Sequence, residues 1–262
     1  MRDPWFPIAL MLIVLLTIWL SIVGPMPDGF AAWLYQWQTL AGAGVASIAV
    51  YIAVRNTTRS LDHAEGLERH RRSRKNAALR AMLPLALAQV TDYAERSAHA
   101  LNAMLDQCDG EALPAMTAPE SLAQQLPSET LSTLADFIEY SDRVDVALVE
   151  TAVAWIQIQD SRLRDLIKRN RGPGGGEIIT RAEIEGRLID AATIYASASS
   201  VYNYARRRQE HLPHTISWEA VRGAFRNMRF WDDEHPRLYA IMAGRENHTT
   251  GPFDALHGEP AA

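Results

Sequence analysis

Two histidines three residues apart, His211 and His214, have a spacing at which both imidazoles could share a metal ion. Downstream, Asp232, Asp233, Glu234 and His235 would supply further ligands. Leu212-Pro213 falls inside the first pair, however, and no H-E-x-x-H pattern occurs, so these residues read as a surface loop. The run Gly172-Pro173-Gly174-Gly175-Gly176 invites comparison with a phosphate cradle. A P-loop needs G-x-x-x-x-G-K-[ST] after a strand, and here Gly176 is followed by Glu177. It reads as an inter-helix connector.

Cys108 is the sole cysteine, which rules out an intrachain disulfide and a multi-cysteine metal site. Asp109 follows it and no activating base stands nearby in sequence, so it is not assigned as a nucleophile. Tyr195, Tyr202 and Tyr204 beside Ser197, Ser199 and Ser200 could line a polar groove, but closely packed core accounts for them better. His99 neighbours an apolar stripe without lying on it and receives no role. Asn56-Thr57-Thr58 and Asn247-His248-Thr249 match the glycosylation pattern, in places that the topology derived below keeps from that machinery. No catalytic residue, cofactor or metal follows from these motifs.

The elements that would position any site are strongly asymmetric in charge. Residues 1–54 contain only Arg2, Asp3 and Asp28 as charges. Residues 55–80 carry eight Lys/Arg against three Asp/Glu, a net of +5, and residues 81–262 carry a net of −9. An acidic bulk of this kind disfavours general nucleic-acid binding.

Residues 5–23 are free of charge, and their helical rise of roughly 28 Å matches the hydrocarbon core of a bilayer. A cleaved signal peptide is the rival reading; its basic n-region is poor, with Arg2 offset by Asp3. A second expected span, residues 31–54, opens on Trp33, Tyr35, Gln36, Trp37 and Gln38. It continues with small residues, and Gly42/Ala46 and Ala43/Ser47 recur at the spacing that lets helix backbones approach closely. The expected partner for that face is the first span, with a second copy of the chain, and so a homo-oligomer, as the alternative.

The turn at 24–29 has no Lys or Arg, while the basic residues begin at Arg55. The positive-inside bias then predicts a hairpin with both termini cytoplasmic. Residues 55–80 form a basic juxtamembrane helix or linker. Arg55, Arg59, Arg69, Arg71, Arg72, Arg74 and Lys75 are its candidates for contact with anionic lipid headgroups, each worth about 1 kcal/mol near the surface. A solvated helix and a nucleic-acid contact are the competing readings.

From Asn76 onward the apolar period is helical: Leu79, Leu83, Leu87, Val90, Ala94, Ala98, Leu101 and Leu105. Pro84 predicts a kink or a restart there. Further long helices are expected at 129–170, broken near Ser141, and at 178–210, the latter with the capping pair Thr180 and Glu183 and the stripe Ile184, Leu188, Ala191, Tyr195, Ala198, Tyr202 and Ala205. Ser217 is the expected N-cap of a shorter helix reaching Trp231, and Pro236 opens a last one reaching Ala243. No strand is expected, and residues 246–262 read as a disordered tail. The fold class is all-α: a two-helix transmembrane hairpin followed by an antiparallel helical bundle over residues 81–245.

The segment WLYQWQTLAG at residues 33–42, the basic stretch after it and the Ala/Leu-rich helix from Ala77 to Val90 resemble a group of uncharacterised bacterial inner-membrane proteins. The resemblance covers about the first 105 residues and implies a multi-pass protein of the bacterial inner membrane, with no activity to carry over. The expected function is interaction, a scaffold or accessory module that presents the bundle to a protein partner near the bilayer. Its alternatives are a membrane-bound enzyme with a metal or acid–base site between bundle helices, resting only on scattered His, Asp and Glu, and a membrane-associated nucleic-acid binder acting through residues 55–80.

Overall fold

The structure is a computed structural model. It describes residues 19, 29–119, 122, 125–141, 143–172, 177–249 and 251–253; the side chains of residues 30, 31, 33–37, 39–41 and 143–145 are outside that description. The first expected span, residues 5–23, thus lies outside the described residues except for Trp19. Contacts divide the chain into two units, residues 1–70 and 71–262.

The described residues form six helices and two very short strands, so the all-α expectation holds. Helix α1 runs from Phe30 to Leu105 and changes chemistry along its length, from apolar through charged to amphipathic. Pro84 neither ends nor restarts it. The ring leaves the Arg80 carbonyl without its helical N–H donor, at about 3 kcal/mol. Leu83, Ala86, Leu87 and Val90, all buried around that turn, offset the cost at roughly 1.5–3 kcal/mol for each large side chain.

Helices α2 (Ser128–Tyr140) and α3 (Arg143–Arg171) are separated by Ser141 in extended conformation, the break expected at that residue. Lys168, Arg169 and Arg171 lie in the last turn of α3, where cations complement the exposed carbonyls. Residues 173–176 of the glycine-rich run are outside the described residues. Strands β1 (Ala112–Leu113) and β2 (Ile179–Thr180) pair antiparallel. Two residues are too short to show a period of two, so neither strand was expected.

Helix α4 (Arg181–Ala205) starts on Thr180, whose hydroxyl accepts the Glu183 amide N–H at 3.2 Å. Only half of the expected capping box forms, because the Glu183 carboxylate pairs with Arg169 instead. The expected single stripe is also too narrow. Residues 188–194 are buried without a gap, and Tyr195 and Tyr202, placed on the stripe, are only half-buried. Ala191, Ala192, Ala196, Ser197 and Ala198 are small enough for neighbours to close on every side, and α3 and α5 pack against this helix.

Helix α5 (Trp218–Asn227) is capped by the Ser217 hydroxyl and stops before Trp231, and α6 (Pro236–His248) extends past Ala243. Part of the expected tail lies among the described residues. Asn247 and His248 are helical, Pro252 is buried, and the Phe253 ring packs 5.8 Å from that of Trp155. An aromatic side chain with a surface to pack on buries apolar area even in a segment whose composition is otherwise that of a loop. Residues 254–262 are outside the described residues.

Candidate functional site

In the first unit the described side chains of α1 are exposed where they are most apolar. Val45 is 67% exposed, Ile48 59%, Ile52 51%, and Val50 and Val54 match them. At roughly 100° per residue these positions fall on two opposite sides of the helix, and exposed Ala46, Ala49, Tyr51 and Ala53 fill the arcs between them. Gly42, Ala43 and Ala46 are exposed and Ser47 is half-buried, its hydroxyl donating to the Ala43 carbonyl at 2.9 Å. A Cβ placed at Gly42 or Gly44 would meet no described atom within 4 Å. The close packing expected of this face therefore has no partner among the described residues. No helix among the described residues is long and apolar enough to cross a membrane.

The basic candidates fall into two sets. Arg55 and Arg59 are exposed directly after the apolar stretch, whereas Arg69 lies roughly 22 Å of helical rise beyond Val54 and pairs with Glu65 at 3.0 Å. In the second unit Arg71, Arg72 and Arg74 are exposed. Lys75 is half-buried, its ammonium 3.6 Å from the centre of the Tyr140 ring, and its hydrogen bond with Tyr140 holds its pKa above the usual lysine value.

Close to that turn the structure opens a groove of about 510 Å³ between α1 and the C-terminal turn of α4. Ser73, Asn76 and Arg80 line one side, and Tyr204, Arg207, Gln209 and Glu210 the other. Arg80 donates from Nε to the Tyr204 carbonyl at 2.8 Å and from Nη2 to the Gln209 carbonyl at 2.7 Å, with its guanidinium 3.9 Å over the Tyr204 ring. Tyr204 in turn packs edge-on against Phe137. Of the tyrosine and serine group, Ser197 and Tyr204 are buried and Tyr195, Ser199, Ser200 and Tyr202 are half-buried, with Ser197 and Ser200 donating to carbonyls of their own helix.

A second polar cluster, not anticipated from sequence, surrounds the first half of α4. Asp190, 3% exposed, accepts from Arg162 at 3.0 Å and Arg187 at 3.3 Å and lies 3.5 Å from Arg245. Glu185, also buried, pairs with Arg237 at 3.0 Å and Arg181 at 3.5 Å. Arg237 grips Glu111 with two hydrogen bonds of 2.6 and 2.8 Å, which hold the Glu111 carboxyl below its usual pKa. These pairs tie the loop before β1 to α3, α4 and α6. With carboxylate oxygens occupied by guanidinium N–H groups, the cluster is a clamp that fixes the bundle.

The remaining candidates stay apart. His211 and His214 are exposed, and no group of three or more His, Cys, Asp or Glu among the described residues could hold a metal ion. His99 and His235 both pack against the Phe230 ring, at 5.2 Å. Burial pushes the Cys108 thiol upward, and its Sγ donates to the Met104 carbonyl at 3.4 Å. That reduces the thiolate needed for attack.

Comparison of the chain with protein-family models, with curated proteins and with solved structures finds no match. No relative therefore identifies a function, and the residues themselves carry the argument.

Proposed function

We propose that this is an integral membrane protein in which a two-span hairpin, residues 5–23 and 31–54, anchors a helical bundle that serves as an interaction or scaffold module. The first span, apart from Trp19, lies outside the described residues, as do the side chains of residues 31, 33–37 and 39–41 of the second. One observation carries it: α1 exposes Val45, Ile48, Val50, Ile52 and Val54 on opposite sides, with uncharged Ala46, Ala49, Tyr51 and Ala53 exposed between them. A helix apolar all round is stable when it is buried in protein or in lipid. After Asp28 the next charges are Arg55 and Arg59, the positions that would meet inner-leaflet headgroups, which supports a bundle on the cytoplasmic side.

The test uses the lone thiol of Cys108, which is partly accessible. Membranes from expressing cells are washed with alkaline carbonate, and intact and permeabilised cells are treated with an impermeant maleimide. The expected result is retention in the pellet, with Cys108 labelled only after permeabilisation. Release by carbonate would overturn the anchor, and labelling in intact cells would overturn the orientation. Co-purification from native membranes then asks for the partner: a specific protein retained in mild detergent is the expected outcome, and recovery of the bare chain under every condition would remove the scaffold role.

A further inference from the structure

We propose that the groove between α1 and the C-terminal turn of α4 binds a phosphate-bearing anion. The inference stands apart from the membrane anchor, since every lining residue belongs to the second unit. Its volume, about 510 Å³, is that of a small-molecule site. The floor is a guanidinium already held in one orientation: Arg80 is fixed by two carbonyls and the Tyr204 ring. Those partners carry no formal charge, so the cation is not cancelled, and two of its five N–H groups are used. Prior ordering reduces the entropy lost when an anion binds.

Arg207 supplies the second cation from the opposite wall. It is exposed and makes no ion pair among the described residues. It also sits at a backbone φ of 58°, in the left-handed region. The Arg208 amide reaches the Asn203 carbonyl at 2.8 Å and the Arg207 amide reaches that of Tyr204 at 2.9 Å, which closes α4 in a turn where glycine is the usual residue. An arginine here accepts backbone strain and places its charge at the groove. Ser73, Asn76 and Gln209 add neutral donors, and exposed Arg74 and Arg208 follow next in sequence. Glu210 is the one carboxylate in the lining, against Arg80 and Arg207. A phosphate suits this set better than a carboxylate does, because it has three acceptor oxygens and close to two charges for a paired arginine site. The competing account makes Arg80 a cap on the α4 carbonyls and Arg207 a solvated cation at a helix end.

The chain offers its own control. Arg229 ends α5 in the same kind of turn, at φ 67°, and does not line the groove. The full chain, purified in a neutral detergent, is titrated calorimetrically with inorganic phosphate, glycerol phosphate, short-chain phosphatidylglycerol and the matching phosphatidylcholine. Saturable binding of a phosphate-bearing anion is expected, weakened about fivefold or more by R207G, the loss set by one cation near a phosphate, and unchanged by R229G. Both variants should melt no lower than the parent, because glycine relieves the positive φ. Tight binding of phosphatidylglycerol alone assigns a lipid headgroup to the site; comparable binding of glycerol phosphate or inorganic phosphate assigns a soluble one. Equal affinity in R207G, equal loss in R229G, or no binding above the phosphatidylcholine control would overturn the proposal.

Discussion

Two stretches of helix in this protein share a composition and differ in surroundings. Residues 42–54 of α1 and residues 191–205 of α4 contain no charged side chain and are rich in Ala and other small residues. The α4 stretch is largely enclosed by the bundle, with Ala191, Ala192, Ile194, Ala198 and Val201 almost fully buried and Asn203 the exposed residue near its end. The α1 stretch presents Val45, Ile48, Val50, Ile52 and Val54 outward. Apolar helix surface is worth roughly 25 cal/mol per Å² when removed from water. For α4 that gain is realised inside the chain; for α1 it requires something outside the described residues. The comparison locates a fold in one helix and an environment in the other.

The sharpest way to break it is to place the same charge in both. Ala192→Asp should unfold the bundle, at more than about 4 kcal/mol, because no partner is available at a fully enclosed position. Ala49→Asp should leave the bundle's thermal transition in place and weaken retention in carbonate-washed membranes, since an acidic residue inside a span costs about 2.5–3.5 kcal/mol. Loss of the bundle transition in Ala49→Asp would show that this stretch belongs to the same core as α4. Unchanged membrane retention would show that it does not meet lipid.

Ion pairs extend the contrast at smaller magnitude. Removing Asp190 leaves Arg162, Arg187 and Arg245 around a buried gap, and Asp190→Ala should cost about 3–5 kcal/mol in denaturant unfolding. Glu65→Ala removes an exposed pair on the charged part of α1 and should cost about 0.5 kcal/mol or less. Similar costs for the two variants would mean that Asp190 is hydrated and the clamp is not one.

How far the sequence reaches is visible in the same two helices. The fold class, the break at Ser141 and the caps at Thr180 and Ser217 depend on local chemistry and could be read directly. The enclosure of α4 could not be read from its stripe, because Ala and Ser between the large residues are compatible with either face. The better signal was the absence of charge from Ala191 to Ala205. The clamp was illegible because its partners come from distant segments: Glu111 meets Arg237, and Asp190 meets Arg162 and Arg245. Arg207 falls inside the helix expected at 178–210, and only the fold ends α4 before it and brings it into a groove with Arg80. Phe253 docks on Trp155 from a segment whose composition hides it.

The smallest effects should come from pH, and they should move the bundle and spare the anchor. Glu111 and Glu219 are held below the ordinary carboxylate value by hydrogen bonds from Arg237 and from Arg226 and Arg222. A depressed carboxyl stabilises the fold above its unfolded value of 4.5, and that contribution is lost as pH falls through the folded value. Both side chains are exposed, so the acid limb should be shallow. On the alkaline side, burial raises the hydroxyl of Tyr93 well above its unfolded value of 10.0. The stabilisation is complete below that value and is lost as pH rises above it, because the unfolded chain ionises first. Melting temperature should therefore be flat between about pH 5 and 9 and fall more steeply on the alkaline side than just below pH 4.5. Tyr93→Phe should flatten the alkaline limb at little cost near neutrality, since among the described residues the buried Tyr93 hydroxyl has no partner beyond its approach to Ser97 and its ring packing is kept. Retention in membranes should follow neither limb, because no Asp, Glu, Lys, Arg or His lies between residues 42 and 54. Release from membranes that tracks the alkaline limb would tie the exposed stretch of α1 to the folding of the bundle and remove the distinction between them.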